Sequence, residues 1–310
     1  MKYFITLLLL FFSLNIYGIK LYDSENAVSS GIGGAYTAVV NNPEVLFFNP
    51  ANFYSVAKNY INISYNKYLA NLTSEEGIDS SSGYYAVNLA SYNISYIFPA
   101  GEWGGAGIFY STMDFNSFQK FSILGVGVSA AVNKYMNFNK DLSVGVIGKY
   151  IVNNYDTTLY NSAFFEANPN SVSGYALDVG AFIKISPALQ FGASGQNIVA
   201  SDLGSKYDDE ISAVYRFGIM YSLFIHISGE NRLNIMADFK FDNNDYNAYS
   251  GAEIFFKNLK VRMGLNFNYL AFGVGYSYNE LVGGTYTVNY VFSDVSSFPL
   301  NHKISLFVKF

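Results

Sequence analysis

"LKVRMGLNFN", residues Leu259 to Asn268, decides how this chain folds. Leu259, Val261, Met263, Leu265 and Phe267 take every second position, with Lys260, Arg262, Gly264, Asn266 and Asn268 between them. In an extended strand successive side chains leave opposite faces, so a period of two marks a strand with one apolar and one polar face. The next stretch repeats the pattern, setting Leu270, Phe272, Val274, Tyr276 and Tyr278 against Ala271, Gly273, Gly275, Ser277 and Asn279. Upstream, "LNIMADFKF" (Leu233 to Phe241) sets Leu233, Ile235, Ala237, Phe239 and Phe241 against Asn234, Met236, Asp238 and Lys240.

Such segments begin near residues 59, 86, 104, 122, 142, 173, 188, 212, 233, 247, 259, 269, 285 and 301. Each is close to the roughly ten residues that a tilted strand needs to cross a bilayer. The connections alternate between long and polar (Ala70 to Tyr84, Asn153 to Val172, Asn197 to Ile211) and short (Pro99 to Trp103, Ser186-Pro187, Lys257-Asn258). The alternation of loop lengths is imperfect, because Asn266 to Leu270 leaves almost no loop. The fold class expected is all-β: a transmembrane antiparallel β-barrel of about 14 strands, with both chain ends on the periplasmic side of a bacterial outer membrane.

Composition separates this reading from a soluble β-sandwich, which would also alternate. The chain of 310 residues is 51% hydrophobic and 18% aromatic but only 13% charged, against about 25% charge in a typical soluble domain. A sandwich hides its apolar face in a Val/Ile/Leu core and carries charge on the other. Here the polar face is mostly Gly, Ser and Asn, and Tyr recurs near strand ends, as an interfacial girdle would require. A net charge of -5 argues against a nucleic-acid surface.

The two ends fit the same picture. Lys2 and the apolar run Phe4 to Ile16 read as a signal peptide ending near Gly18, too short to span a bilayer comfortably. The domains expected are therefore a leader (1–18), an N-terminal segment (19–58) and a barrel (59–310). With no cysteine there is neither a lipid-anchored Cys nor a disulfide framework. At the far end, "HKISLFVKF" sets Ile304, Leu306, Val308 and Phe310 against Lys303, Ser305, Phe307 and Lys309. This last strand must close the barrel on the first, since an open edge in lipid is costly. Its terminal aromatic, Phe310, resembles the signal read by barrel-insertion machinery.

"GIGGAYTAVVNNPEVLFFNPANF", Gly31 to Phe53, differs from everything after it. It resembles the opening segment of FadL-like outer-membrane proteins, in particular the PorV/PorQ branch, where a Gly-Gly-Ala turn and a short helix lead to an Asn-Pro-Ala motif. "FGASGQNI" (Phe191 to Ile198), "FGIMYSL" (Phe217 to Leu223) and the C-terminal "LNHKISLFVKF" resemble that branch as well. The resemblance implies a partly helical hatch, residues 19–58, plugging the lumen. Gly31, Gly33 and Gly34 suit a crowded lumen, and Pro50 holds Asn49 extended so that it can bond the wall from within. Asn49-Pro50-Ala51 would form a latch near the third strand, with Phe47 and Phe48 packed beside it. The chain departs from the branch where a run of Asp residues becomes Asn41-Asn42, which takes away the carboxylates that a metal or salt-bridge role of that loop would use, and where a Trp becomes Phe48.

No constellation for catalysis or cofactor binding stands out. The two histidines, His226 and His302, lack ligand partners at metal spacing, and "GIGG" lacks the Lys-Ser/Thr of a phosphate loop. Gly104, Gly105 and Gly107 crowd the start of the third strand, marking either a bend that opens the wall sideways or small residues that make room for the hatch. Ionisable residues fall on the polar face: Lys149, Asp178, Lys184, Arg216, Asp238, Lys240, Glu253, Lys260 and Arg262. Their mixed signs favour a ladder holding the hatch over a lining for a solute path. The expected partners are outer-membrane lipid, the insertion machinery and a hydrophobic small molecule such as a long-chain fatty acid. A PorV-like role with secretion-system proteins, or a purely structural plugged barrel, is the alternative.

Overall fold

The computed structural model describes residues 26–68, 89–115, 119–133, 140–155, 170–203, 211–225, 231–242, 245–267, 269–281, 283–295 and 298–310. The expected leader, the connection Ala70 to Tyr84, and His226 lie outside these residues.

Fourteen antiparallel strands form one closed ring in sequence order. They are β1 (Tyr60–Tyr68), β2 (Leu89–Pro99), β3 (Gly104–Phe115), β4 (Gln119–Ala131), β5 (Asp141–Tyr155), β6 (Ser171–Lys184) and β7 (Leu189–Ala200). Then come β8 (Val214–Ile225), β9 (Asn231–Asp242), β10 (Asp245–Phe256), β11 (Leu259–Asn266), β12 (Tyr269–Leu281), β13 (Gly284–Val295) and β14 (Phe298–Lys309). Each begins within three residues of the position that alternation marks.

Two expected loops are shorter than their composition implies. Strand β5 runs on to Tyr155, β6 starts at Ser171 and β7 continues to Ala200. Asn153 reads as a loop residue, yet it is buried, accepting from Gln119 Nε2 and donating to the Tyr155 hydroxyl at 2.9 Å each. A polar residue that finds partners inside the ring can stay in a strand.

The seam sets the closure. Strands β1 and β14 pair in register from Tyr60↔Lys309 to Lys67↔His302, and Asn59 and Phe310 exchange both backbone hydrogen bonds at 3.0 Å. None of the described strands is left with an unpaired edge, the condition for a sheet in a solvent that cannot hydrogen-bond.

The faces are inverted relative to a soluble protein. Val126, Phe239 and Leu265 are each more than half exposed, whereas Asn62, Arg216, Asp238 and Arg262 are buried on the other face. Large apolar side chains point out of the ring and polar ones point in, opposite to what water would select.

Residues 26–56 account for the burial inside. They form α1 (Ala27–Gly31) and two 3₁₀ turns (Pro43–Phe47 and Pro50–Phe53), nearly all buried and packed on the inward faces of the strands. Each 3₁₀ turn is started by an Asn-Pro pair. The side chains of Asn42 and Asn49 accept from Glu44 N–H and Ala51 N–H, while the prolines fill a position whose N–H would be unpaired. Aromatic contacts fix the segment, with the rings of Tyr36 and Phe48 5.1 Å apart and those of Phe47 and Phe109 of β3 4.6 Å apart.

Val126→Arg tests the outward face. It is expected to cost about 2–4 kcal/mol of folding stability in lipid vesicles, the range for Arg near a bilayer midplane. Urea titration of vesicle-folded protein measures it, and a cost near zero would exclude lipid contact at that position.

Candidate functional site

The site is the contact surface between residues 26–56 and the inner wall. Asn49 lies at its centre. Its Nδ2 donates to Thr37 O and to Ala181 O of β6, at 3.0 Å each, while its Oδ1 accepts from Ala51 N–H. Ala51 O accepts from Ser129 of β4 and Ser143 of β5, at 2.8 and 2.9 Å. Phe48 O accepts from Ser194 of β7 at 2.7 Å. Asn49, Pro50 and Ala51 therefore contact β4 to β7 rather than the third strand; β3 instead meets Phe53, whose carbonyl faces Gly105. The chain crosses the inner wall from Asn49 at β6 and β7, through Pro50 and Ala51 at β5 and β4, and reaches β3 only at Phe53.

A second anchor lies across the lumen. Asp238 Oδ2 of β9 accepts from Tyr36 N–H and Thr37 N–H at 2.9 and 2.8 Å. Arg216 of β8 is buried between the Phe48 and Tyr249 rings, 5.1 and 5.4 Å from their centroids, and interacts electrostatically with Asp238. A carboxylate that accepts two backbone N–H groups holds an irregular chain that has no ladder of its own.

The remaining ionisable residues also lie on inward-facing positions, where they serve different ends. Arg262 bonds Glu253 at 2.6 Å and Asn289 at 3.0 Å, and its side chain packs against Gly31. Lys149 and Asp178 pair at 2.7 Å. Lys240 approaches Asp242 at 3.8 Å, and Lys260 lies 5.7 Å from the Phe255 ring. Lys184 ends β6 beside the short turn to β7.

Wall glycines set how closely the segment can approach. A Cβ on Gly180 would lie 2.0 Å from Asn49 Oδ1, and one on Gly264 would lie 1.8 Å from Gly33 N. Gly33 itself has φ +69° and accepts a hydrogen bond on its carbonyl from Asn266 Nδ2 at 3.1 Å, so segment and wall both require glycine there. Gly34 is also left-handed, with φ +88°. Two of the three β3 glycines face the segment, whereas a Cβ on Gly104, at φ +149°, would meet Ser129 O of β4. Gly105 faces Phe53 O, Gly107 faces the Leu46 side chain, and β3 pairs with β2 and β4 without a register shift.

Several contact residues carry no sequence signal of their own. Glu44 accepts from Ser29 N–H and Val28 N–H at 2.9 and 3.3 Å, tying α1 to the first 3₁₀ turn. Burial pushes its carboxyl up, and the Ser29 and Val28 bonds oppose that. Asn26 Oδ1 gathers the Asn93, Ser64 and Asn66 side chains at 2.6, 2.7 and 3.4 Å. Gln196 Nε2 donates to Phe47 O at 2.6 Å. The lone acid in the Gly31–Phe53 stretch was the one available clue to Glu44. His302 stacks on Tyr290 and shares a 2.6 Å hydrogen bond with its hydroxyl.

No family model and no curated protein matches the sequence. Solved structures do match the fold. The Ralstonia pickettii toluene transporter TbuX is similar over 93% of this chain and 98% of its own, at 14% identity and TM-score 0.55. The monoaromatic hydrocarbon channel CymD is similar over 96% and 98%, at 12% identity and TM-score 0.57. A Pseudomonas aeruginosa FadL homologue is similar over 92% and 98%, at 10% identity and TM-score 0.52. At these identities the likeness is one of fold, a closed antiparallel barrel of 14 strands.

Two substitutions probe the anchors. Asp238→Ala removes a charged acceptor from two N–H groups and is expected to weaken docking of the segment by about 2–3 kcal/mol. Hydrogen exchange at Tyr36 and Thr37 measures it, and unchanged protection would remove Asp238 as an anchor. Gly180→Val is expected to displace Asn49 and expose residues 26–56 to protease while the heat-modifiable barrel band persists on gels. Equal cleavage of variant and wild type would show that the close approach does not matter.

Proposed function

We propose that this chain is an outer-membrane barrel that passes apolar solutes, of the hydrocarbon or long-chain fatty-acid class, and that residues 19–58 act as its hatch. The observation that carries this reading is how the segment is held. Asn49, Ala51, Tyr36 and Thr37 are bound by wall side chains and single carbonyls, whereas no strand of the ring depends on them for its ladder. The segment can shift without breaking the barrel, which is what a gate requires.

Three further facts support it. The outward face is apolar along the strands, as lipid demands. Phe47, Phe48, Leu46, Ile97, Phe109 and Ile147 form a buried apolar cluster inside the ring, which displacement of the segment would open to an apolar solute. The fold neighbours include a toluene transporter and a monoaromatic hydrocarbon channel. In this reading the solute enters from outside, displaces the hatch and leaves through the wall into the membrane.

Planar-bilayer conductance and solute uptake test it together. Wild-type protein is expected to be nearly closed to ions, yet to raise uptake of labelled toluene or palmitate in cells expressing it. Asn49→Ala with Pro50→Ala, or deletion of residues 26–56, is expected to raise single-channel conductance several-fold. A wild type that conducts like an open porin, or a deletion without effect, would rule out the hatch. Absent uptake of both solutes would rule out the transport reading.

A further inference from the structure

The wall is irregular at one place that faces the segment. Between Leu177↔Val199 and Val179↔Gly195 the β6–β7 ladder sets three residues, Gln196, Asn197 and Ile198, against Asp178 alone. The described register shifts at Asn279/Leu281 and Ser293/Val295 lie instead at strand ends beside hairpins. Bulges of this kind re-aim side chains and loosen pairing next to functional sites.

Side chains take over where the ladder lapses. Asn197, in the left-handed region at φ +53°, donates its N–H to Asp178 Oδ1 at 2.7 Å. Lys149 of β5 pairs with the same carboxylate oxygen at 2.7 Å and also bonds Asn197 Oδ1. Both charged side chains are more than nine-tenths buried. Asn197 Nδ2 reaches Ser212 O at 3.2 Å, just before β8. The β7–β8 ladder ends at Gln196↔Val214, so beyond that level the described part of β7 is paired through β6.

The surroundings are apolar on both sides. Inside, Ile151, Ala176, Leu203 and Ile211 form a buried cluster against Phe121 and Ile123. Outside, Tyr175 and Val199 are more than half exposed. The bulge also touches the N-terminal segment, since Gln196 and Ser194 donate to Phe47 O and Phe48 O. By contrast, the apolar depression of about 430 Å³ on the outer wall, lined by Ile63, Tyr65, Tyr92 and Leu306, is backed by fully registered ladders β14–β1–β2.

We infer that the β6–β7 bulge is the wall's passage for the apolar solute, and that Lys149, Asp178 and Asn197 form its latch, released when Phe47 and Phe48 move. The inference rests on the transport reading above and places the passage away from the β3 glycines. An apolar solute at the inner cluster faces a short stretch of wall held by side chains rather than by a backbone ladder. Displacing the segment removes the acceptors of Gln196 and Ser194 and frees the bulge to unfold outward.

Because the chain has no cysteine, disulfide staples give a clean test. Leu177→Cys with Val199→Cys joins cross-strand partners beside the bulge; Tyr96→Cys with Ile108→Cys does the same on β2–β3. In the oxidised state the first pair is expected to lower uptake of labelled palmitate or toluene at least tenfold, restored by dithiothreitol, and the second to leave it unchanged. Asp178→Asn is expected to raise uptake several-fold while the heat-modifiable band remains, and adding the first staple should abolish the gain. Loss of uptake with the β2–β3 staple alone, or none with the β6–β7 staple, overturns the passage while leaving transport intact. Wild-type protein without uptake overturns both, which separates the two failures.

Discussion

An irregular chain buried inside a closed sheet must have its backbone polar groups satisfied by something other than a ladder. That constraint organises the interior of this protein. Carbonyls of Thr37, Val39, Phe47, Phe48 and Ala51 are met by Asn, Gln and Ser side chains, and the N–H groups of Tyr36 and Thr37 by a carboxylate. It explains why inward positions of the strands are so often Ser, Asn, Asp or Gln. The glycines among them meet the complementary need, because a side chain at Gly180, Gly192 or Gly264 would occupy the space of the segment's backbone. Wall and segment are thus one packed unit made from two kinds of backbone.

Buried charge follows the same logic. Arg262 is committed to Glu253 and Asn289, and Arg216 is sandwiched by rings, so neither faces lipid. Removing one partner of such a pair leaves a charge stranded at a cost of several kcal/mol, whereas the intact pair contributes little net stability. These residues therefore fix position more than they add strength. Asp238 illustrates this: its partners are two adjacent N–H groups of the segment, so it sets where the turn after Gly34 sits.

Placement of the anchors gives the interior an uneven grip. Around β4 to β9 the segment is bonded through Asn49, Ala51, Phe48, Tyr36 and Thr37, next to the bulge and its ion pair. Around β1 and β2 the segment is bonded through Asn26 to Ser64, Asn66 and Asn93, and Lys303 of β14 reaches Ser30. The carbonyls of Phe47 and Phe48 join the segment to β7 through Gln196 and Ser194.

The amino-acid sequence by itself determined the class of fold, because a side-chain period of two is a local property that each strand carries independently of its neighbours. Alternation in Leu259–Asn268 and its repeats placed every strand start within three residues, and the two Asn-Pro pairs marked turns that cap themselves. The inward set of ionisable residues was legible for the same reason, since parity within a strand assigns a face. What only the tertiary structure decided depends on pairing between distant residues. Nothing near Asn49 in sequence says that Ala181 will accept from it, and nothing near Asp238 points to Tyr36, 202 residues away. Nothing in the sequence says that Phe53 and Leu46 lie against Gly105 and Gly107 of β3. The bulge at Gln196–Ile198 was hidden because one unpaired residue or three changes only the register between two strands, which is set by closure of the whole ring.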